Sequence, residues 1–415
     1  MLETVLAVDI GTTSLKSGLI TDRGEVVSFY TYRFQNPCDR FIANEWLFGL
    51  GISVRRLIEK CSLTHQGASA HQTGGSPHQT GGSTHQGCSS AHQEASTHQG
   101  GPEKIHISAI SISGNGPTVV LPNGITVRWN EKTPAYPMAS PAAARSLFLP
   151  KILALKNLFF SDFEKAPYIF SGPEYLIYQL TGAAVTVLPE ARFQAAYWNE
   201  EILDGTGINI KKLPPFVGLG QLCGRVKADL ISSQNLGHFF DAETPVFSAG
   251  PDFTAAMIGT NTLAAGKICD RSGSSEGFNY CIPRPIVHEG ARSLPSVIPG
   301  LWNISVLTPS SSKLSTEKRL GRVVQSVEKL RLIAKENHLD FPDTMVVTGG
   351  QAKSNEYMIK KARLLGMNLI VSNCIDAELM GDACCGWVGL GRYGNIQEGA
   401  EAMFQKSVMY EGLKC

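Results

Sequence analysis

The chain opens on an alternation of apolar runs and turn residues. Val5 to Val8 is apolar and ends at Asp9, Gly11-Thr12-Thr13-Ser14 has the composition of a tight turn, and Leu15 to Ile20 is apolar again. Thr21-Asp22-Arg23-Gly24 makes a second turn, after which Val26 to Phe34 alternates apolar and polar positions. The pattern predicts three short strands over residues 4–34. Apolar residues at helical spacing then predict a helix from about Trp46 to Cys61. Further strands are expected at Ile105 to Ile112, Thr118 to Leu121, Thr244 to Ala249, Lys267 to Arg271, Phe278 to Cys281 and Thr344 to Thr348. Helical patterns fill about Ala142 to Leu203, Phe253 to Ile258 and Glu317 to Asn337. Such alternation of strands and helices defines an α/β protein.

One stretch breaks the pattern. From Thr64 to Gly101 the chain is mostly Gly, Ser, Thr, Ala, His and Gln, and His-Gln recurs at His65, His71, His78, His85, His92 and His98. A metal-binding tract is one reading of so many histidines. A repeat without large apolar residues cannot offset its ordering entropy, so a disordered surface insertion is the favoured expectation.

A length of 415 residues exceeds one ordinary core and predicts two domains. With 37 Lys plus Arg against 36 Asp plus Glu, no overall field draws a polyanion, which argues against nucleic acid as the partner. The start, Met1 to Asp9, lacks a basic region before its short apolar run and does not read as a signal peptide. No uncharged apolar run approaches the roughly 20 residues that span a bilayer, so a membrane is not expected as a partner either. The ten cysteines are scattered without a Cys-x-x-Cys pair, and Cys384-Cys385 suits a packed helix; reduced thiols in a cytoplasmic protein are expected.

Two motifs are decoys. Gly389-Leu390-Gly391-Arg392-Tyr393-Gly394 matches G-x-G-x-x-G but trails a helical segment, which suits a helix-ending loop rather than a dinucleotide site. Gly259 to Lys267 has the wrong glycine spacing for a P-loop, and Ile268 stands where Ser or Thr is required. The informative constellation is Asp9-Ile10-Gly11-Thr12-Thr13-Ser14-Leu15-Lys16. An acid at a strand end, followed by a Gly/Thr turn, offers backbone N–H groups and hydroxyls to a phosphate while the acid holds Mg²⁺ through water. Gly273-Ser274-Ser275 lies between two strand-like segments, and Gly349-Gly350 follows a third. Three such turns in this order point to a nucleotide cleft between two related lobes.

In these motifs the chain resembles the FGGY carbohydrate kinases of the actin-like ATPase superfamily, with a xylulokinase-like flavour. Asp9 to Lys16 is similar to the family's first phosphate motif, and Gly273-Ser274-Ser275 stands where the family usually has Gly-Thr-Ser. Val347 to Ser354 resembles the adenosine motif, and Ala377-Glu378-Leu379-Met380-Gly381-Asp382-Ala383 the small-residue helix after it. Pro150 to Leu153 and Glu174 to Gly182 resemble middle landmarks, which argue against a mere actin-like scaffold.

The resemblance implies a two-lobed actin-like (ribonuclease H-like) ATPase fold, with an N-terminal lobe over 1–260, the insertion at 64–101 and a C-terminal lobe over 261–415. It implies ATP-dependent phosphorylation of a small sugar or polyol, ATP and Mg²⁺ as cofactors, and no nucleic-acid or membrane partner; a homodimer is compatible with it. Asp9 would organise Mg²⁺. Gly11, Thr12, Thr13, Lys16, Gly273, Ser274 and Ser275 would hold phosphates, and Gly349 and Gly350 would approach the adenosine. Asp252, in Gly250-Pro251-Asp252, stands at the family's catalytic position; as a preferred N-cap it also has a structural reading, capping a helix that begins at Phe253. Asn115, Asp252 and Phe253 would touch the substrate. Departures are Asn115-Gly116-Pro117-Thr118 in place of Gln-Met-His-Gly, Phe253 in place of the Asn after the catalytic Asp, and a short Ser275–Gly349 stretch that abridges the C-terminal lobe. The last leaves open a catalytically impaired relative that binds nucleotide or sugar in a regulatory role. For the insertion, deleting residues 66–100 is expected to leave the melting temperature almost unchanged, because loop closure costs little more as loops lengthen; a large drop, or bound metal that disappears on deletion, would overturn this.

Overall fold

The first three strands form where the alternation places them, at Leu2–Ile10, Ser14–Ile20 and Val26–Arg33. A computed structural model describes residues 1–69, 105–138, 140–233, 240–272, 276–308 and 314–412. In the N-terminal sheet the order is Gly224–Arg225, Pro245–Pro251, Ile105–Gly114, Leu2–Ile10, Ser14–Ile20, Val26–Arg33. The first three strands in sequence are antiparallel, and the next two long ones, Ile105–Gly114 and Pro245–Pro251, add in parallel beside the first.

The C-terminal sheet repeats this plan. Ile268–Ser272 and Glu276–Ile282 are antiparallel, Trp302–Thr308 continues the meander, and Thr344–Thr348 and Asn368–Ser372 extend the other side in parallel. Arg292–Pro295 and Lys406–Tyr410 add as antiparallel edges. Both sheets therefore carry five strands in the order third, second, first, fourth, fifth, and in the same directions. The fold is α/β and two-lobed, as expected.

A continuous apolar run suits a strand buried on both faces. Side chains alternate between faces along a strand, so Leu6, Val8 and Ile10 enter a core with Trp46, Leu50, Val54 and Leu57 of the Ala43–Ser69 helix. Val5 and Ala7 enter a second core with Leu379, Met380 and Trp387 of the Ala377–Gly389 helix. One face of the N-terminal sheet is thus covered by a helix from the far end of the chain.

The Ala43–Ser69 helix corrects an expectation, since it continues past Cys61 into the start of the His-Gln stretch. Once nucleated, a helix adds residues at little cost, even where no apolar stripe marks them. The rest of the His-Gln insertion lies outside the described residues. The eight cysteines among the described residues are free thiols, and Cys384 and Cys385 are buried in a helix as expected. Gly391, at φ +78°, ends that helix, which accounts for the G-x-G-x-x-G pattern.

The lobes meet where the Asp252–Gly259 helix crosses Ala377–Gly389. A Cβ on Gly259 would stand 1.9 Å from the Ala377 carbonyl oxygen, and one on Gly381 would stand 2.0 Å from that of Ala255. No side chain fits there. Gly381→Ala is expected to lower stability by about 1–3 kcal/mol or more by forcing the helices apart. Gly321→Ala, in the helix Thr316–Glu336 with nothing within 4 Å, should instead raise stability by about 0.5–1 kcal/mol. Urea denaturation of both variants checks the contrast.

Candidate functional site

Asp9 ends the first strand, and Lys16 faces it in the antiparallel register of the first hairpin. The Lys16 ammonium lies 3.4 Å from Asp9 Oδ2 and 2.9 Å from Asp376 Oδ1, the residue just before the Ala377–Gly389 helix. Asp9 Oδ1 is buried and has no hydrogen-bond partner. Burial pushes Asp9 up to about 7; Lys16 opposes this, while Glu378, Asp252 and Asp376 add to it. Against burial, the carboxylates of Asp9, Glu378 and Asp376 raise Lys16 above the ordinary ammonium range. The charge of Glu378 pushes up Asp9, Asp252 and Asp382, Asp9 adds to Asp382, and Asp252 and Asp376 add to Asp9, while Lys16 and Arg271 act the other way.

Asp252 is reached through a chain of hydrogen bonds. Trp129 Nε1 donates to Thr12 Oγ1 at 3.1 Å. With the Asn115 amide oriented to satisfy its neighbours, its oxygen accepts from the Thr12 hydroxyl at 3.0 Å and backbone N–H at 2.7 Å, and its nitrogen donates to Asp252 Oδ2 at 2.8 Å. The structural reading of Asp252 needs correcting: the helix begins at Asp252 itself, Pro251 occupies the cap position, and no side-chain cap bond forms. Gly250, at φ +69° beside a register shift in the sheet, sets the turn into that helix. Burial raises the Asp252 carboxyl above its usual range, opposed first by the charge of Arg271.

On one side of this chain lies a pocket lined by Gly11, Thr12, Asn115, Arg128, Trp129 and Gly172, among others. Phe253 turns instead toward an apolar cluster, its ring 5.9 Å from that of Phe193. A separate cleft of about 320 Å³ is lined by Lys16, Arg271, Thr348, Gly349, Gly350 and Glu378 among others. Gly349 has φ +90°, donates to the Ile375 carbonyl at 2.8 Å and leaves no room for a Cβ against Ser272. Gly350 faces open space. Gly11 N–H closes the first turn on the Ser14 carbonyl, and Thr13 is exposed beside it. Gly273, Ser274 and Ser275 lie outside the described residues.

Sequence reasoning passed over the residues that buttress these walls. Ser113 donates to Asp382 Oδ2 at 2.9 Å, joining the fourth strand to the helix from the other lobe. Lys361, wholly buried, pairs with Asp270 and, at 2.8 Å, with Glu276, and Tyr357 donates to Glu276 at 2.7 Å. Glu174 is buried under the pocket, where its carboxyl accepts from Val187 N–H at 2.9 Å. Trp129 did carry a signal, as an aromatic standing beside Arg128 just after a short apolar stretch. Lys361 carried none, because a helical lysine reads as exposed.

This is the two-lobed fold of the actin-like ATPases to which the sugar kinases belong, and the FGGY resemblance holds at the level of fold. The structure is similar to a glycerol kinase from Plasmodium falciparum solved with ADP, at TM-score 0.71 and 10% identity over 99% of this chain and 94% of that one. It is similar to a gluconate kinase (TM-score 0.68, 13% identity, 100% and 94% covered) and a ligand-bound xylulose kinase (0.67, 13%, 99% and 94%), both from Lactobacillus acidophilus. In sequence, 164 residues are 27% identical to the xylulose kinase of Lactococcus lactis subsp. lactis (strain IL1403), covering 34% of this chain and 32% of that protein. The match thus spans about a third of the length of that curated relative. No protein-family sequence model matches the chain.

Glu174 yields a pH test. Burial pushes its carboxyl from 4.5 up to about 7, against the Val187 bond. The folded protein therefore holds a proton there that the unfolded chain gives up, so its contribution is full below pH 4.5 and is lost as pH rises through 7. Glu174→Gln should match the parent's stability at low pH and exceed it by about 3 kcal/mol near pH 8. Denaturation at both pH values checks this.

Proposed function

We propose that this protein is an ATP-dependent carbohydrate kinase that transfers the terminal phosphoryl group of ATP to a hydroxyl of a small sugar or polyol. The observation that supports the reading is that Asp252 accepts from Asn115, which lines the Trp129 pocket, and feels the charges of Arg271, Glu378 and Lys16, which line the Lys16–Gly349 cleft. A carboxylate so placed can accept a proton from a hydroxyl in the pocket while a phosphoryl group approaches from the cleft. Trp129 offers an aromatic face, and Asn115 and Arg128 offer polar groups, of the kinds that grip a polyhydroxylated molecule.

In this reading Gly11, Thr12, Thr13 and Lys16 present the first turn to phosphates, with Gly273, Ser274 and Ser275 opposite. Gly349 and Gly350 let the backbone pass close to the adenosine, which suits a left-handed glycine beside open space. Asp9 holds Mg²⁺ through water; its unpartnered Oδ1 and the surplus of acids suit a hard divalent cation. Among the described residues no three side chains converge to hold a metal unaided, so water and phosphate oxygens would complete the ligand set. When bound, Mg²⁺ supplies charge neutralisation to the phosphates. No helix among the described residues is long and apolar enough to cross a membrane. A cytoplasmic site of action is part of the proposal.

The test is ADP release by purified protein across a panel of sugars and polyols, repeated with Asp252→Asn. That variant keeps the acceptor for Asn115, and Asn suits the start of a helix nearly as well as Asp. Turnover is expected to fall on the order of 10²–10⁴ with an unchanged melting temperature. Parental turnover in the variant would remove Asp252 as the base, and no sugar-dependent release by the parent would sink the kinase reading.

A further inference from the structure

Ile268–Ser272 opens the C-terminal sheet, and its side chains alternate between two environments. Asp270 and Ser272 point inward to Lys361, whose ammonium also reaches Glu276 on the next strand. Arg271, between them, points the other way. It faces Gly277 on one neighbouring strand and Thr348 on the other. Its guanidinium lies 3.2 Å from where a Cβ of Gly277 would stand, so the glycine makes room for it. The side chain then lines the cleft with Lys16, Gly349 and Glu378.

Three cations line that cleft; Lys353 is exposed to solvent, and the two more enclosed ones, Lys16 and Arg271, differ in one respect. Lys16 is already paired with Asp9 and Asp376. Arg271 forms no salt bridge or hydrogen bond with any described residue, and its buried Nε has no partner. A buried guanidinium N–H without an acceptor is costly, which makes an incoming oxyanion its natural complement. Resting on the kinase reading above, we propose that Arg271 is a further catalytic residue whose guanidinium contacts the transferring phosphoryl group of ATP, from the lobe opposite Asp252.

In the transfer, a substrate hydroxyl oxygen bonds to the terminal phosphorus as the bond from that phosphorus to the bridging oxygen breaks. The bridging oxygen keeps the electron pair and leaves on ADP, and the hydroxyl proton passes to Asp252. Charge on the phosphoryl oxygens is met by the planar fork of Arg271, which offers two parallel donors where an ammonium offers a point charge. The same positive charge opposes the upward push that burial gives the Asp252 carboxyl. The buried Lys361–Asp270–Glu276 cluster ties the strand positions next to Arg271 and so fixes where its side chain starts.

Calorimetric binding of ADP and of a non-hydrolysable ATP analogue, each with Mg²⁺, to the parent and to Arg271→Gln tests the contact without turnover. The analogue should weaken by about tenfold or more in the variant while ADP stays within about twofold. Equal losses for both nucleotides, or none, would overturn the proposal. If the Gln variant does not fold, Arg271→Lys carries the same comparison, with the same selective loss expected from a point charge that lacks the fork. With an accepted sugar, Arg271→Gln should lower kcat by about 10³ with little change in the sugar KM. A selective loss in a parent that phosphorylates no sugar would refute the kinase reading and still support the phosphate contact. A parent that binds neither nucleotide would refute both.

Discussion

Where the Asp252–Gly259 helix crosses Ala377–Gly389, Gly259 lies against the carbonyl of Ala377 and Gly381 against that of Ala255, and the rest of the molecule is arranged around that contact. Backbones this close leave no room for a methyl group on either side. The crossing brings the start of one helix, with Asp252, and the start of the other, with Asp376 and Glu378, to the same cleft. It also seats Leu379, Met380 and Trp387 on a face of the N-terminal sheet, beside Ala255, Met257 and Ile258 of the Asp252–Gly259 helix. Lys16 to Asp376 and Arg392 to Asp22 tie the two halves near the surface, and Ser113 to Asp382 ties them in the buried interior. The two ion pairs would not position the lobes by themselves, since pairs open to water are worth little. They fall into place because the glycines set the distance.

That distance creates an electrostatic imbalance. Asp9, Asp252 and Asp382 are forced together out of water, and burial raises all three carboxyls. Two cations cannot neutralise the group. A cluster of this kind is unfavourable in isolation, and in the proposed kinase reading a divalent cation would relieve it. The instability belongs to the site, and the apolar cores on either side hold it in place.

Much of this was legible in the order of residues. The three opening strands, the strand Thr344–Thr348 and the Thr316–Glu336 helix follow from periodicity and turn chemistry, which act locally. The turn after Asp9 and the glycine pair after Thr348 could be recognised because tight turns at strand ends use few residue types. What could not be read is long-range. Ser113 and Asp382 are 269 positions apart, and no local pattern marks them as partners. The N-cap reading of Asp252 failed because the position before it, Pro251, took the cap geometry, while Asn115 engaged the carboxylate from a strand far away in sequence. The helix from Ala43 ran past Cys61 because helical propagation outlasts the apolar stripe that betrays it.

The buried lysine shows how the C-terminal half maintains its geometry with a short connection between its second strand and Gly349. Its sheet keeps all five strands in the order of the N-terminal one. Asp270 and Glu276 flank its first turn, and a pair of wholly buried carboxylates would repel each other without Lys361 between them. Burial pushes Asp270 up to about 7 even with that lysine beside it, so the cluster adds little net stability. Its value is geometric. One ammonium reaching both strands and the Ser272 hydroxyl fixes the register of Ile268–Ser272 against Glu276–Ile282, and a slip by one residue would exchange the faces of Asp270 and Arg271. The charge that must be buried and the charge that must face the cleft are adjacent in sequence, so the same register that satisfies Lys361 delivers Arg271 to the site.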